Sequence, residues 1–196
     1  MTISIAPASA AELLAAADQV AQVYQATFAE APFHEQQADF QRFAVSLIAH
    51  ANRSGFQACL AQDPHTHQVL GFSYGYTSQA GQWWHDTVAA RLQAHEVRRW
   101  FTHCFEIVTL AVPPSLQGQG IGGRLHDGLL AHIPHQTAVL STFQEETAAR
   151  QLYRSRGWQT IREGFVFPGG TRPFVVLGRT LLPSIEAAAT AYVSEE

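Results

Sequence analysis

Residues 104–133 read Cys-Phe-Glu-Ile-Val-Thr-Leu-Ala-Val-Pro-Pro-Ser-Leu-Gln-Gly-Gln-Gly-Ile-Gly-Gly-Arg-Leu-His-Asp-Gly-Leu-Leu-Ala-His-Ile. The apolar, β-branched run from Phe105 to Val112 predicts a buried strand. Pro113 and Pro114 end it, because neither can donate to a sheet ladder. Gln117, Gly118, Gln119, Gly120, Ile121, Gly122 and Gly123 follow. Ile121, Leu125, Leu129, Leu130 and Ile133 then recur at helical spacing. The predicted order is strand, glycine-rich turn, helix. Such a turn aims unpaired backbone N–H groups outward where the helix dipole adds partial positive charge, which suits a phosphate. Glycine is needed there because a Cβ would hold the anion away from the backbone.

Three motifs compete for the loop. G-x-x-x-x-G-K-[ST] fits Gly118 and Gly123, but Arg124 and Leu125 replace the lysine and hydroxyl that would hold nucleotide phosphate and magnesium. G-x-G-x-x-G is matched by Gly118, Gly120 and Gly123. A dinucleotide fold, however, sets its first glycine tight against the strand end, and here residues 113–117, prolines included, intervene. Q/R-x-x-G-x-G/A is matched by Gln117, Gly120 and Gly122, after Leu110-Ala111-Val112-Pro113. With that strand before it and Tyr153-Arg-Ser-Arg-Gly157-Trp158 downstream, the loop resembles the pyrophosphate loop of the GNAT superfamily of N-acetyltransferases, which use acetyl-coenzyme A.

A chain of 196 residues makes one domain the default, residues 1–196, with enough length for a real core. Apolar residues make up 46%, net charge is −4, and Lys+Arg total only 12, with no basic run to suggest nucleic acid. Cys59 and Cys104 lie in apolar runs and read as reduced core residues. The alanine-rich N-terminus is interrupted by Glu12 and Asp18 and lacks a basic leader, so it does not read as a signal peptide. No apolar run reaches membrane-spanning length. The expectation is a cytoplasmic protein without a membrane or nucleic-acid partner; a homodimer stays open.

Thr2 to Ala6 predicts a first strand. One helix is expected from Ala10 to Phe28, opened by a Ser9–Glu12 capping box, and a second from about His34 to Ala51 with Phe40, Phe43, Ala44, Leu47 and Ile48 as its stripe. Phe56–Ala61 and Gln68–Thr77 read as a hairpin around Asp63-Pro64-His65-Thr66-His67. His65 and His67 read as solvated rather than metal-ligating, and no metal site is expected. Residues 78–103 suggest an amphipathic helix in which Trp83 and Trp84 either pad the core or wall a substrate cleft. Thr137–Leu140 predicts a strand, and Thr142 with Glu145 a capping box opening a helix to about Arg156, with Ala148 and Leu152 facing the core. Gly157 is a natural left-handed cap. Trp158–Phe167 and Pro173–Thr180 read as a closing hairpin, and Pro183–Glu196 as a marginal helix.

The resemblance implies an α/β (α+β) GNAT fold, with a mixed central sheet of about six to seven strands flanked by helices, up to about Leu181. It implies an acetyl group passing directly from acetyl-coenzyme A to an amine of a small molecule or peptide; the alternative is a non-catalytic acyl-coenzyme-A-binding module. By resemblance, the backbone of Leu110, Ala111 and Val112 pairs with the pantetheine arm and directs one N–H at the thioester carbonyl, whose oxygen gains charge during attack. The pyrophosphate falls to Gln117, Gly118, Gln119, Gly120, Ile121 and Gly122. Ala149-Arg-Gln-Leu-Tyr153-Arg-Ser-Arg-Gly157-Trp158 looks like the family's A-x-x-L-Y-x-x-x-G-F segment, whose tyrosine protonates the departing thiolate. Glu146 stands where the family often has an asparagine near that helix start, a departure from the family pattern at one cofactor contact. Glu106 is the candidate base: period-2 alternation puts it on one strand face with Val108, Leu110 and Val112, where desolvation raises a carboxyl pKa. Glu-Ile-Val-Thr-Leu-Ala-Val is similar to the histone acetyltransferase branch, whose base lies at this position. The competing reading of Glu106 is a solvated glutamate at a strand mouth. The amine itself is unnamed by any string, although His34–Asp39, Tyr74–Trp84 and Phe167–Arg172 are the loops expected to line its cleft.

Overall fold

The structure, a computed structural model, describes residues 2–181. The marginal helix expected over 183–196 lies outside them. Among the described residues, seven strands form one mixed sheet in the order β1-β2-β3-β4-β5-β7-β6, the α/β architecture that was expected. They are β1 (Ser4–Ala8), β2 (Gln57–Gln62), β3 (Val69–Ser78), β4 (Cys104–Ala111), β5 (Thr137–Phe143), β6 (Gln159–Phe165) and β7 (Phe174–Thr180). The chain divides into two compact units: residues up to Tyr76 with Ile107–Ala131, and Thr77–Glu106 with the chain from His132 onward.

In the first unit, β1, β2 and β3 form an antiparallel meander. Asp63 turns the β2–β3 hairpin by accepting from the backbone N–H groups of His65 and Thr66, and both loop histidines are exposed. The first helical stretch is divided. α1 (Ala10–Ala15) carries the expected Ser9–Glu12 capping box, and α2 (Ala17–Phe28) restarts after Ala16. α3 begins later than the periodicity suggests, at Gln37, where Asp39 Oδ2 accepts from the Gln36 N–H at 2.9 Å, and it runs to Ala51. Its buried face is Phe43, Leu47 and Ala51, while Ile48 is 58% exposed and Ala44 is also exposed. The expected stripe was therefore rotated: His50, at helical spacing from Phe43 and Leu47, takes an inward position that hydrophobicity alone gave to Ile48.

β3 is buried on both faces, and the faces differ. Phe72 and Tyr74 enter a core with Leu13, Val20, Phe43 and Leu47. The other face carries Gly71 and Ser73, paired in register with Ala61 and Cys59 of β2. α6 (Ile121–Leu130) lies over these small residues: Ser73 Oγ donates to Leu125 O at 3.1 Å. A Cβ at Gly71 would lie 3.1 Å from Ala111 O and 3.2 Å from Leu125 Cδ1. Alternation between small and aromatic side chains thus gives one strand two kinds of partner.

In the second unit, Cys104–Glu106 of β4 runs parallel to Thr137–Val139 of β5. β5 continues antiparallel to β7, and β7 to β6, the expected closing hairpin. The single helix expected over 78–103 is two, α4 (Trp83–Ala89) and α5 (Ala94–Phe101), because Gln93 and Glu96 cap a fresh start. Trp84 donates from Nε1 to Ser141 Oγ at 3.0 Å, whereas Trp83 is 59% exposed and stacks on Phe167. The capping box at Thr142 and Glu145 is overturned. Thr142 belongs to β5, and α7 (Ala148–Ser155) starts from Thr147, whose side chain accepts from Arg150 N–H. Ladder pairing through Phe143 outcompetes the local cap, so the β-branched Thr142 stays extended. Ala148 is accordingly exposed. Gly157 takes φ 75°, the expected left-handed cap.

Cys59 and Cys104 are buried free thiols. Among the described residues, no helix is long and apolar enough to cross a membrane.

Candidate active site

The loop between β4 and α6 begins with a short 3₁₀ turn, Pro114–Leu116. Gln117 fixes its near end, donating from Nε2 to Val112 O at 2.9 Å. Gly118 and Gly120 both adopt left-handed backbone, φ 76° and 75°. A side chain at either would be strained, although nothing lies within 4 Å of the Cβ positions. The bend is therefore set by the backbone's own conformation and leaves open space beside it. Gly120 is the N-cap of α6 with no side-chain cap, so the N–H groups of the first helical turn lack an intrahelical partner and no side chain of the N-cap satisfies them. Among the described residues, the N–H groups of Gly118, Gln119 and Gly120 also have no hydrogen-bond acceptor. An anion without a bulky approach would fit this donor set.

Leu110, Ala111 and Val112 lead directly into that loop. Ala111 and Val112 are buried and Leu110 is partly buried. The structure thus brings the expected cofactor residues 110–112 and 117–122 into one unit, as the two ends of a strand–turn–helix segment.

Glu106 and Tyr153 belong to the second unit. Glu106 is only 4% exposed, so it is not a solvated residue at a strand mouth. It accepts from Ser78 Oγ at 3.4 Å. Tyr153 is 6% exposed and meets Trp158 edge-on, at 5.5 Å between ring centroids. Burial raises its hydroxyl pKa above the ordinary phenol value, so the proton stays on oxygen at neutral pH. Glu146 lies just before α7 and accepts from Arg154 Nη2 at 2.8 Å, so its carboxylate is engaged on the surface.

The first unit also forms an open cleft of about 250 Å³. Its wall includes Val108 and Thr109 of β4, Tyr74 of β3, and Tyr24 and Phe43 from α2 and α3. Tyr24 and Phe43 stack at 3.7 Å between centroids. Polar groups converge on it. Tyr24 donates to Glu35 Oε1 at 3.1 Å, and His50 Nδ1 meets Tyr74 Oη at 3.1 Å. Burial, with Arg53 nearby, pushes the His50 imidazole down to about 4, so it is neutral at physiological pH. The expected acceptor stretches supply Glu35, Asp39 and Tyr74 to this wall. Tyr24, Phe43 and His50 were missed, the aromatics because they fit a helix's core stripe. For His50 the signal was present: a titratable residue at helical spacing from Phe43 and Leu47, on an otherwise apolar face.

Residues 18–158 match the sequence profile of the acetyltransferase (GNAT) family. The GCN5-like protein acetyltransferase of Mycobacterium tuberculosis is 38% identical over 121 residues, covering 58% of this chain and 59% of that protein. The match thus spans less than two thirds of that relative's length. Among solved structures, the aminoglycoside 6'-acetyltransferase type Ii superposes with a TM-score of 0.63 at 16% identity, covering 94% of this chain and 99% of its own. The ribosomal-protein-S18-alanine N-acetyltransferase of Escherichia coli superposes with a TM-score of 0.62 at 13% identity, covering 94% and 97%. At these identities the two structures speak to the fold.

Proposed function

Because the chain belongs to the acetyltransferase (GNAT) family, we propose that it moves an acetyl group from acetyl-coenzyme A to an amine of a small molecule or peptide, within a single catalytic domain. The observation that carries this reading is the loop at the head of α6, where Gly118 and Gly120 turn left-handed and, among the described residues, the N–H groups of 118–120 have no acceptor. The N–H groups from Gln117 to Gly122 would hold the pyrophosphate, with Leu110, Ala111 and Val112 along the pantetheine arm. Acetyl-coenzyme A supplies an activated thioester: its acyl carbon bonds to the amine nitrogen as the carbon–sulfur bond breaks, and the sulfur takes up a proton. The chain's own residues handle the protons. Glu106, withdrawn from water in β4, accepts one from the ammonium so that the nitrogen has a free lone pair. Tyr153, whose proton burial holds in place, donates one at the sulfur, and the second proton that the nitrogen sheds as the amide forms restores the phenol. A binding module without turnover would need neither group.

The test joins binding to turnover. Acetyl-coenzyme A raises the melting temperature by mass action, and Gly120→Glu removes the shift by placing a strained side chain and a negative charge among the donors. Thiol release over a panel of amines then separates catalysis from binding alone. Unchanged affinity in Gly120→Glu would refute the loop assignment, and binding without thiol release from any amine would favour the module.

A further inference from the structure

The last two residues of β3, Thr77 and Ser78, lie in the second unit and turn to opposite faces of the strand. Thr77 Oγ1 meets His135 Nε2 at 3.0 Å, while the Ser78 hydroxyl donates to Glu106 Oε2 at 3.4 Å. Ser78 and Glu106 are both buried, so the contact is sheltered from water. Cys104, two residues from Glu106 on the same face of β4, donates from Sγ to Ser78 O at 3.7 Å. Burial first, and the Glu106 charge in addition, push that thiol up to about 12, so it stays neutral. A second buried polar side chain holds Ser78 in place. Gln82 is the N-cap residue of α4, yet its side chain makes no cap bond. Its amide reaches back instead. Nε2 donates to Thr77 O at 3.0 Å, and Oε1 accepts from the Gln79 N–H at 3.1 Å. Those two backbone groups flank Ser78, so the clamp fixes the serine backbone and with it the point from which the hydroxyl reaches Glu106.

The electrostatic consequence is specific to one carboxyl group. Withdrawal from water raises a carboxyl pKa, and a donor to the charged form lowers it again. A general base has to be ionised at working pH. Among the described residues of this unit, other ionisable groups are engaged elsewhere. β5, paired beside Glu106 through Val139, carries none. On α4, His85 and Asp86 pair with each other at 3.1 Å. On α5, His95, Arg98 and Arg99 are exposed, and Glu96 accepts from the Gln93 N–H. His103 is exposed and stacks on His135, which meets Thr77 on the other face of β3. We propose that Ser78 and Gln82 are positioning residues for proton transfer: Ser78 holds the Glu106 carboxylate ionised and in one orientation, and Gln82 holds Ser78. This role rests on Glu106 being the base proposed above, while the Ser78–Glu106 contact is measurable without turnover.

Two readouts test it on the full chain. The first is the pH profile of kcat at saturating acetyl-coenzyme A, with an amine from the thiol-release panel. Its acidic limb reports the base in the enzyme–substrate complex. Ser78→Ala should move that limb up by about 1 pH unit, the low end of what a hydrogen bond to a charged group supplies. The high-pH plateau and the acetyl-coenzyme A melting shift should stay close to wild type. Ser78→Thr, which keeps the hydroxyl, should hold the limb in place, and Gln82→Ala should move it the same way by less. Added to Glu106→Gln, Ser78→Ala should change kcat little further. The second readout needs no turnover: the carbon NMR resonance of the Glu106 carboxyl, assigned by its absence from Glu106→Gln, should titrate at higher pH in Ser78→Ala than in wild type. An unmoved limb and an unmoved titration overturn the proposal. An equal loss of kcat in the Glu106→Gln background also overturns it, since Ser78 would then act through packing. If Ser78→Ala shows no melting transition, Gln82→Ala read in the same two ways decides. If Glu106→Gln keeps the wild-type profile, the base reading fails instead, and the Glu106 titration then decides the Ser78 contact alone.

Discussion

Glu106 and Tyr153 are each almost wholly buried, and each is a polar side chain that a core has no reason to keep without work for it. For Tyr153, Phe is the informative replacement, since it keeps the ring against Trp158 and deletes only the hydroxyl. Turnover is expected to drop ~10²–10⁴-fold with acetyl-coenzyme A affinity nearly unchanged. A parallel loss of affinity would make it a binding contact, and full turnover a packing residue. Glu106→Gln should lower kcat at neutral pH by a comparable ~10²–10⁴-fold and recover partly at high pH, where unprotonated amine is abundant. A pH–rate profile that matches the wild type would remove Glu106 from proton transfer. The burial of both residues could not be read from the sequence, which offered them only as candidates, Tyr153 through the resemblance of its segment and Glu106 as the one charge in an apolar run. Nor could the Glu35 oxygen without a partner among the described residues, because a missing hydrogen bond exists only after every neighbour has been placed.

Among the elements, α6 depends on the small-residue face of β3. Gly71→Val would force a branched side chain against Ala111 O and Leu125 Cδ1, already close to the bare Cβ position. Overpacking of this kind costs ~1–3 kcal/mol, and lifting α6 should also weaken the acetyl-coenzyme A melting shift, since the loop is seated on that helix. A destabilised variant with a full cofactor shift would uncouple the two. Thr147→Ala removes the cap of α7 and should cost ~1 kcal/mol in chemical denaturation; no change would mean that packing of Tyr153 alone holds the helix start. Elements with strong local signals were readable in advance: the strand ended by Pro113, the Ser9–Glu12 box and the turn at Gly157. Those that failed did so where a local signal met a competitor. Thr142 had a capping partner in sequence but a ladder partner in space, Val175, and the ladder won.

For the molecule as a whole, pH should act through half-buried His50 in one compact unit and buried His135 in the other. Burial pushes His50 and His135 down to about 4. In an unfolded chain they titrate near ~6.5. Between those values the unfolded state binds more protons, so stability rises with pH across the window and is lost as pH falls from about 6.5 towards about 4. Melting temperatures measured across that range should show the slope, and replacing both histidines with glutamine should flatten it. A slope that persists would assign the effect to other groups. What the sequence determined by itself was the order of strand, loop and helix, with the family and the candidate residues Glu106 and Tyr153 coming from a resemblance carried by those motifs. That order follows from interactions between near neighbours in the chain: period, proline, left-handed glycine and short-range caps. Only the tertiary structure decided which face of α3 turned inward, where the helices broke, and that Tyr24, Glu35, His50, Tyr74 and Thr109 would share one cleft. Those residues are far apart in sequence, and their meeting is set by burial of apolar surface against distant partners, which no local pattern encodes.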